Sequence, residues 1–240
     1  MKTRRPFVTF TQEAHETWRI MVQRQWEQAE RYASRLWLDG LARLNITHDG
    51  IPDFAAMDQV LYDLVGWNLV STDIQYSTDQ DWFVAMNRRE FLITEYIRDR
   101  QDIDYTPLPD IFHDAFGHLP FMADRQFADY CQRFGTIALE HPDSQRYSIK
   151  TMWWYTAEFG LIREHGELKA LGAGLLSSKA ELARAFDGSV KLLPFEINAF
   201  ETIAASPHTY HEQFFVLESL DQLYEALDVW HAAHPIPENA

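Results

Sequence analysis

Glu158 lies in the run Met152-Trp153-Trp154-Tyr155-Thr156-Ala157-Glu158-Phe159-Gly160-Leu161-Ile162, and no Lys or Arg occurs from Thr151 through Ile162. A stretch this apolar has to be buried, and an ionised carboxylate buried without compensation is costly. A divalent cation would neutralise it. Two histidines supply the partners such an ion needs: His113 and His118 stand in Pro109-Asp110-Ile111-Phe112-His113-Asp114-Ala115-Phe116-Gly117-His118. Two imidazoles and one carboxylate that leave coordination positions open match the facial set of non-haem Fe(II) oxygenases. The same donors also serve catalytic Zn²⁺, so a zinc hydrolase stays open at this point.

The spacing of the histidines constrains how they can meet. On a regular helix of 3.6 residues per turn, positions i and i+5 point about 140° apart. Asp110 after Pro109 suits a helix N-cap, and Gly117 suits the C′ position with Pro120 beyond it. The expectation is a short helix near Ile111–Phe116 carrying His113, with the chain turning at Gly117 to bring His118 back. The i, i+4 zinc-protease spacing, with glutamate after the first histidine, is absent, because Asp114 follows His113.

At 240 residues the chain fits one domain, 1–240, with one substantial core. Lys+Arg 21 against Asp+Glu 36, a net charge of −15, argues against nucleic acid or an anionic membrane as partner. The lone Cys131 excludes an internal disulfide, fits a reducing cytoplasm and reads as a small buried residue. Phe7–Phe10 is too short for the apolar part of a signal peptide. No apolar run approaches the roughly 20 residues of a membrane span. The expectation is a cytoplasmic protein.

Helical periodicity dominates. Trp18, Met21, Val22, Gln25, Ala29, Tyr32, Ala33 and Leu36 recur at three- and four-residue steps after a start at Thr11. Pro52-Asp53 opens a second helix that Gly66 closes. Further helices are expected near Asp81–Arg98, Phe127–Glu140, Gln145–His165, Lys179–Phe186 (capped by Ser178) and Leu220–Ala233. Val190–Phe195 and Gln213–Leu217 read as a small antiparallel ribbon. There is no repeat, low-complexity tract or Gly/Ser linker.

Four blocks then carry a resemblance. Tyr105 through Pro120 (YTPLPDIFHDAFGHLP) resembles the metal-binding signature of the pterin-dependent aromatic amino acid hydroxylases. Trp154 through Leu161 resembles their third-ligand helix, Gly172 through Ser178 a third block and Glu95 through Arg98 a fourth. They occur in the family's order and span roughly 54–227. The resemblance implies a mainly α fold: a single aromatic-amino-acid-hydroxylase-like catalytic domain with a small antiparallel β-ribbon. It implies Fe(II), O₂ and a tetrahydropterin acting on a free aromatic amino acid, with His113, His118 and Glu158 as metal ligands. The regulatory and oligomerisation segments of larger members have no counterpart in the chain, and a monomer is expected.

By position in the family motifs, Arg98 is the expected clamp for the substrate carboxylate, as a planar guanidinium suits. Thr106 and Ser177 fall near the substrate's polar end or the ligand shell. Pro109, Trp154 and Phe159 would form the ring cage. Trp82, in place of a stacking phenylalanine, together with Asp114 and Trp153, would face the pterin; Trp153 departs from the family's usual tyrosine. Asp110 and Glu181 would support the site from behind, Asp110 through Arg98 or a ligand histidine. The loop Ser71–Asp79 matches the family's pterin loop poorly.

Trp154 at a position where animal tryptophan enzymes carry Phe, and the lack of aspartate in Ala205-Ser206-Pro207-His208, imply phenylalanine as substrate. Phe159 and Gly174 match the para-hydroxylating pattern. Tryptophan hydroxylation is the second reading within the family, and a non-enzymatic amino-acid or pterin binder is the rival outside catalysis. The remaining histidines, His211 among them, read as surface or core residues.

Overall fold

The computed structural model describes residues 5–74, 77–104, 108–205 and 209–236. Thr106, the Tyr105 and Pro107 of its block, Gln75 and Tyr76 of the expected pterin loop, and Ser206 to His208 lie outside the described residues. Helix α1 (Gln12–Tyr32) starts where Thr11 accepts the Ala14 N–H, and α2 (Arg35–Arg43) follows directly. Helix α3 (Phe54–Val65) is capped by Asp53, which accepts from Ala55 and Ala56, and closes at Gly66 in the left-handed region. These limits are the ones the capping residues predict.

The expected helix over Asp81–Arg98 is only half helix. Helix α4 (Asp79–Asn87) stops where Arg89 turns to φ +56, and Glu90–Thr94 is a strand, β2. It pairs in parallel with β1 (Asn68–Thr72), and α4 is the crossover that a parallel pair requires. Burial of Ile93 in the core outweighs local helix propensity.

The ligand region also departs from expectation. Gly117 does not end a helix: His113–His118 is a π turn that runs without a break into α5 (Leu119–Met122). Gly117 is required for another reason. A Cβ there would lie 2.8 Å from the Ala173 carbonyl oxygen, so only glycine lets α8 (Ala173–Leu176) approach this closely. Helix α6 (Arg125–Glu140), capped by Asp124, packs on α4 and buries Cys131. Burial pushes the Cys131 thiol pKa well above its usual range.

The expected helix over Gln145–His165 is α7 (Arg146–Trp153) followed by a second π turn, Trp154–Glu158. Beyond Gly160 the chain becomes a hairpin, β3 (Leu161–Glu164) and β4 (Glu167–Ala170), turned by His165 and Gly166 at φ +52 and +83. Helix α9 (Lys179–Phe186) is capped by Ser178, and α10 (Leu220–Ala233) ends the described chain. The four-stranded sheet runs β4-β3-β6-β5. Its antiparallel ribbon is β3–β4, whereas β5 (Lys191–Pro194) and β6 (Gln213–Leu217) pair in parallel. The two strands run in the same direction, which corrects the antiparallel pairing expected for those two segments.

One contiguous apolar core runs through all these elements, with Trp18, Trp37, Trp67 and Trp230 fully buried. Among the described residues no helix is long and apolar enough to cross a membrane.

Candidate active site

Residues of both π turns line one cavity of about 510 Å³, within the 300–1,000 Å³ common for small-molecule sites. In a π turn the hydrogen bonds run from i to i+5, so residues five apart stack on one face. This brings His113 and His118 together: their Nε2 atoms are 3.0 Å apart and their rings perpendicular at 86°. Glu158 completes the group, with Oε1 3.0 Å from His118 Nε2 and Oε2 3.6 Å from His113 Nε2. One donor atom from each residue lies within 4.8 Å of the other two, a convergence that could hold one metal ion.

The surroundings prepare these atoms as donors. Ser177 Oγ donates its hydrogen to the Ala173 carbonyl at 2.9 Å and stands 2.9 Å from His113 Nδ1. With its own proton committed, Ser177 accepts from Nδ1–H, and the His113 lone pair is left on Nε2, aimed at the convergence point. Ser177 thus sits in the shell of a candidate ligand while also lining the cavity. Trp153 Nε1 donates to Glu158 Oε1 at 3.1 Å.

The three groups shift one another's protonation. Burial pushes the Glu158 carboxyl up, but His118 and then His113 outweigh it and hold it at about 2. Burial lowers His118, yet Glu158 overcomes this and raises its pKa. Burial, followed by the charge on His118, drops His113 to about 4. The carboxylate of Glu158 is thus stabilised by the two imidazoles, as a cation between the three would also stabilise it. The two-nitrogen, one-carboxylate donor set, with its tautomer fixed from behind, fits a divalent transition metal.

Arg98 is buried beside this centre and lines the cavity. Its Nε and Nη2 donate to the two oxygens of Asp110 at 2.8 Å each, and its backbone N–H donates to Oδ2 at 2.9 Å. Burial raises the Asp110 carboxyl, but Arg98 outweighs it and holds the group below the ordinary carboxylate range. Asp110 Oδ1 also accepts the His113 N–H at 3.1 Å, so one carboxylate ties Arg98 to the turn that carries His113. The Nη1 edge of Arg98 makes no bond to a described residue.

Pro109, Trp154 and Phe159 line the same cavity, with Trp154 and Phe159 rings 4.8 Å apart. Trp82 packs edge-on against Trp153 at 4.8 Å, and both line the cavity. Asp114 lies in the wall as well, accepting the Thr94 N–H at 2.9 Å, and burial pushes its carboxyl up to about 7 against that bond. Of the candidate site residues named from the sequence, Thr106 lies outside the described residues. Glu181, for which the sequence named no partner, holds His211, with Oε1 2.7 Å from Nδ1. His211 in turn accepts the Trp154 indole N–H at 2.9 Å. The sequence reading had left His211 as an ordinary core or surface histidine, and nothing in its local sequence signals this role.

A helical scaffold presenting an N,N,O donor set, a buried arginine and aromatic walls in one cavity is the frame of a metal-dependent enzyme acting on a small aromatic molecule. The sequence profile of the biopterin-dependent aromatic amino acid hydroxylases matches residues 2–237. Phenylalanine-4-hydroxylase of Mesorhizobium japonicum is 34% identical over 90% of this chain and 79% of its own length. Chromobacterium violaceum phenylalanine hydroxylase with bound iron(III) and 7,8-dihydrobiopterin superposes with a TM-score of 0.86 at 31% identity, covering 95% of this chain and 85% of that one. The same enzyme with iron and phenylalanine bound gives a TM-score of 0.84 at 29% identity, with the same coverage. The chain belongs to the biopterin-dependent aromatic amino acid hydroxylase family.

Proposed function

We propose that this chain is an Fe(II)- and tetrahydropterin-dependent monooxygenase that hydroxylates free L-phenylalanine to tyrosine. The carrying observation is the convergence of His113, His118 and Glu158 in the wall of a cavity that also contains a buried, carboxylate-braced arginine. Relatives named phenylalanine-4-hydroxylase, and neighbours solved with iron, dihydrobiopterin or phenylalanine, support the reading.

His113, His118 and Glu158 would hold the iron, which with reduced pterin supplies the activation of O₂ that no protein side chain provides. The chain's own residues bind, orient and exclude. Arg98 takes the substrate carboxylate on its Nη1 side while Asp110 holds Nε and Nη2, so the guanidinium plane is set before substrate arrives. Pro109, Trp154 and Phe159 hold the ring towards the metal face and keep water from the reacting carbon. Trp82 and Trp153 offer flat surfaces for the pterin, with Asp114 beside them as a polar partner. The protein is expected to work as a monomer in the cytoplasm, with molecular mass in solution as the check on the first point.

Anaerobic Fe(II) reconstitution followed by aerobic turnover with phenylalanine, tryptophan and tyrosine, with and without tetrahydropterin, tests this reading. Pterin-dependent para-tyrosine from phenylalanine is expected. Hydroxytryptophan as the main product would keep the family and overturn the substrate. No product from any of the three by iron-loaded protein would overturn the activity.

A further inference from the structure

We propose that His211 is the positioning residue of the aromatic cage: it fixes the Trp154 indole, backs the Phe159 ring, and thereby sets which aromatic side chain the cavity admits. This rests on the functional reading above and names a determinant of its specificity. An indole N–H can only donate, so His211 Nε2 must accept at 2.9 Å. The imidazole proton is then on Nδ1, donated to Glu181 Oε1 at 2.7 Å. The same carboxylate oxygen takes the His211 backbone N–H at 3.1 Å, and Arg184 Nη2 donates to the His211 carbonyl at 3.0 Å. Ring and backbone are both anchored, in a residue only 3% exposed.

Packing adds to the hydrogen bonds. The His211 ring lies 4.1 Å from Phe159 at an interplanar angle of 34°. On another side Phe159 meets Gly174, where a Cβ would stand 2.5 Å from its Cζ. Phe159 is thus hemmed in by Gly174 and His211, and Trp154 is tethered to the same imidazole. Both aromatic walls of the cage take their placement from one side chain. Glu181 Oε2 is buried and makes no bond to a described residue, so the carboxylate is committed to His211 through Oε1.

The test compares phenylalanine and tryptophan as competing substrates of the iron-loaded protein, with kcat and KM for each. His211→Phe keeps a ring in place but removes the acceptor. It is expected to raise the phenylalanine KM about tenfold and to lower the phenylalanine:tryptophan ratio of kcat/KM about tenfold, the scale of one buried hydrogen bond. His211→Gln retains both an acceptor and a donor and should stay within about threefold of wild type. His211→Asn, too short to reach the indole but able to bond Glu181, gives the same loss of selectivity should His211→Phe not fold. In a Trp154→Phe background the indole N–H is gone, and His211→Phe should then change the ratio less than about twofold.

Folded variants with the wild-type ratio, or an equal loss in the Trp154→Phe background, would overturn the positioning role while the hydroxylase reading stood. Wild-type protein that turns over neither amino acid would overturn both.

Discussion

Ser177→Ala isolates the bond that would prepare His113 as a metal donor in the proposed site. Ser177 Oγ receives the Nδ1–H at 2.9 Å and passes its own hydrogen to the Ala173 carbonyl at 2.9 Å. Without the hydroxyl, the His113 ring loses the group that selects its tautomer, and a buried N–H is left unpaired at a cost of about 1–3 kcal/mol. Part of that cost falls on the free protein, and the remainder appears as weaker binding. Outer partners of ligand histidines are typically worth about 10–100-fold in metal affinity, or about 1.4–2.7 kcal/mol. The expected result is therefore a 10–100-fold rise in the dissociation constant for Fe(II), read anaerobically by competition with a chromogenic chelator. Ser178→Ala is the control. Its hydroxyl caps α9 at Glu181 N, 3.4 Å away, so it should cost about 0.5–2 kcal/mol of stability and leave metal affinity alone. Equal affinities for wild type and Ser177→Ala would refute the tautomer argument. So would a loss in Ser178→Ala as large as that in Ser177→Ala, which would trace the effect to the helix rather than to the bond.

Replacing His113, His118 or Glu158 by Ala should reduce retained iron from about one ion per chain to background, measured by elemental analysis after desalting; a variant that stays iron-loaded and active removes that residue from the ligand set. Arg98→Lys should raise the phenylalanine KM about 10–100-fold with kcat within a few-fold, because an ammonium cannot serve Asp110 and a substrate carboxylate in one plane. An unchanged KM would sink the clamp. Gly174→Ala puts a Cβ 2.5 Å from Phe159 Cζ, where carbon atoms prefer about 3.5–4.0 Å, so the ring must move by about 1 Å. A displacement of that size should lower kcat/KM about 100-fold, and wild-type kinetics in a folded variant would show that Phe159 does not position substrate.

Much of the helical frame was readable from punctuation. Thr11, Asp53 with Gly66, and Ser178 each stand where the structure caps a helix, and Lys179–Phe186 and Leu220–Ala233 have the limits that periodicity predicts. The strands were hidden for different reasons. Within Asp79–Thr94 the break falls at Arg89, whose left-handed backbone no residue-type rule anticipates, and β2 exists because β1 is there to pair with it. The β3–β4 hairpin, by contrast, carried a signal: His165-Gly166, both at positive φ, is a two-residue loop of the kind that joins right-twisted strands. Candidate site residues that the motifs supplied come together around one cavity. His211 was not legible, because its importance arises from Trp154, far away in sequence, and from a carboxylate on another helix.

The spacing of five explains why helix geometry misled and the donor chemistry did not. On an α-helix His113 and His118 point about 140° apart, which led to a turn at Gly117. The chain instead keeps the helix and widens it, with Leu119 N–H bonding Asp114 O in one turn and Phe159 N–H bonding Trp154 O at 2.9 Å in the other. Three pairs then fall five residues apart on the two turns. His113 and His118 converge as donors, Trp153 Nε1 reaches Glu158 Oε1, and the Trp154 and Phe159 rings meet at 4.8 Å. Ligand to ligand, brace to ligand and wall to wall thus share one register. Removing one residue from either turn would swing the second member of each of its pairs by about 100° on a regular helix and separate them. Wide turns are rare in helices and persist where packing and function hold them. Here Gly117 against Ala173 and the hydrogen bonds around Glu158 do so, and the register of the two turns is what brings three candidate metal donors to one cavity of a helical domain.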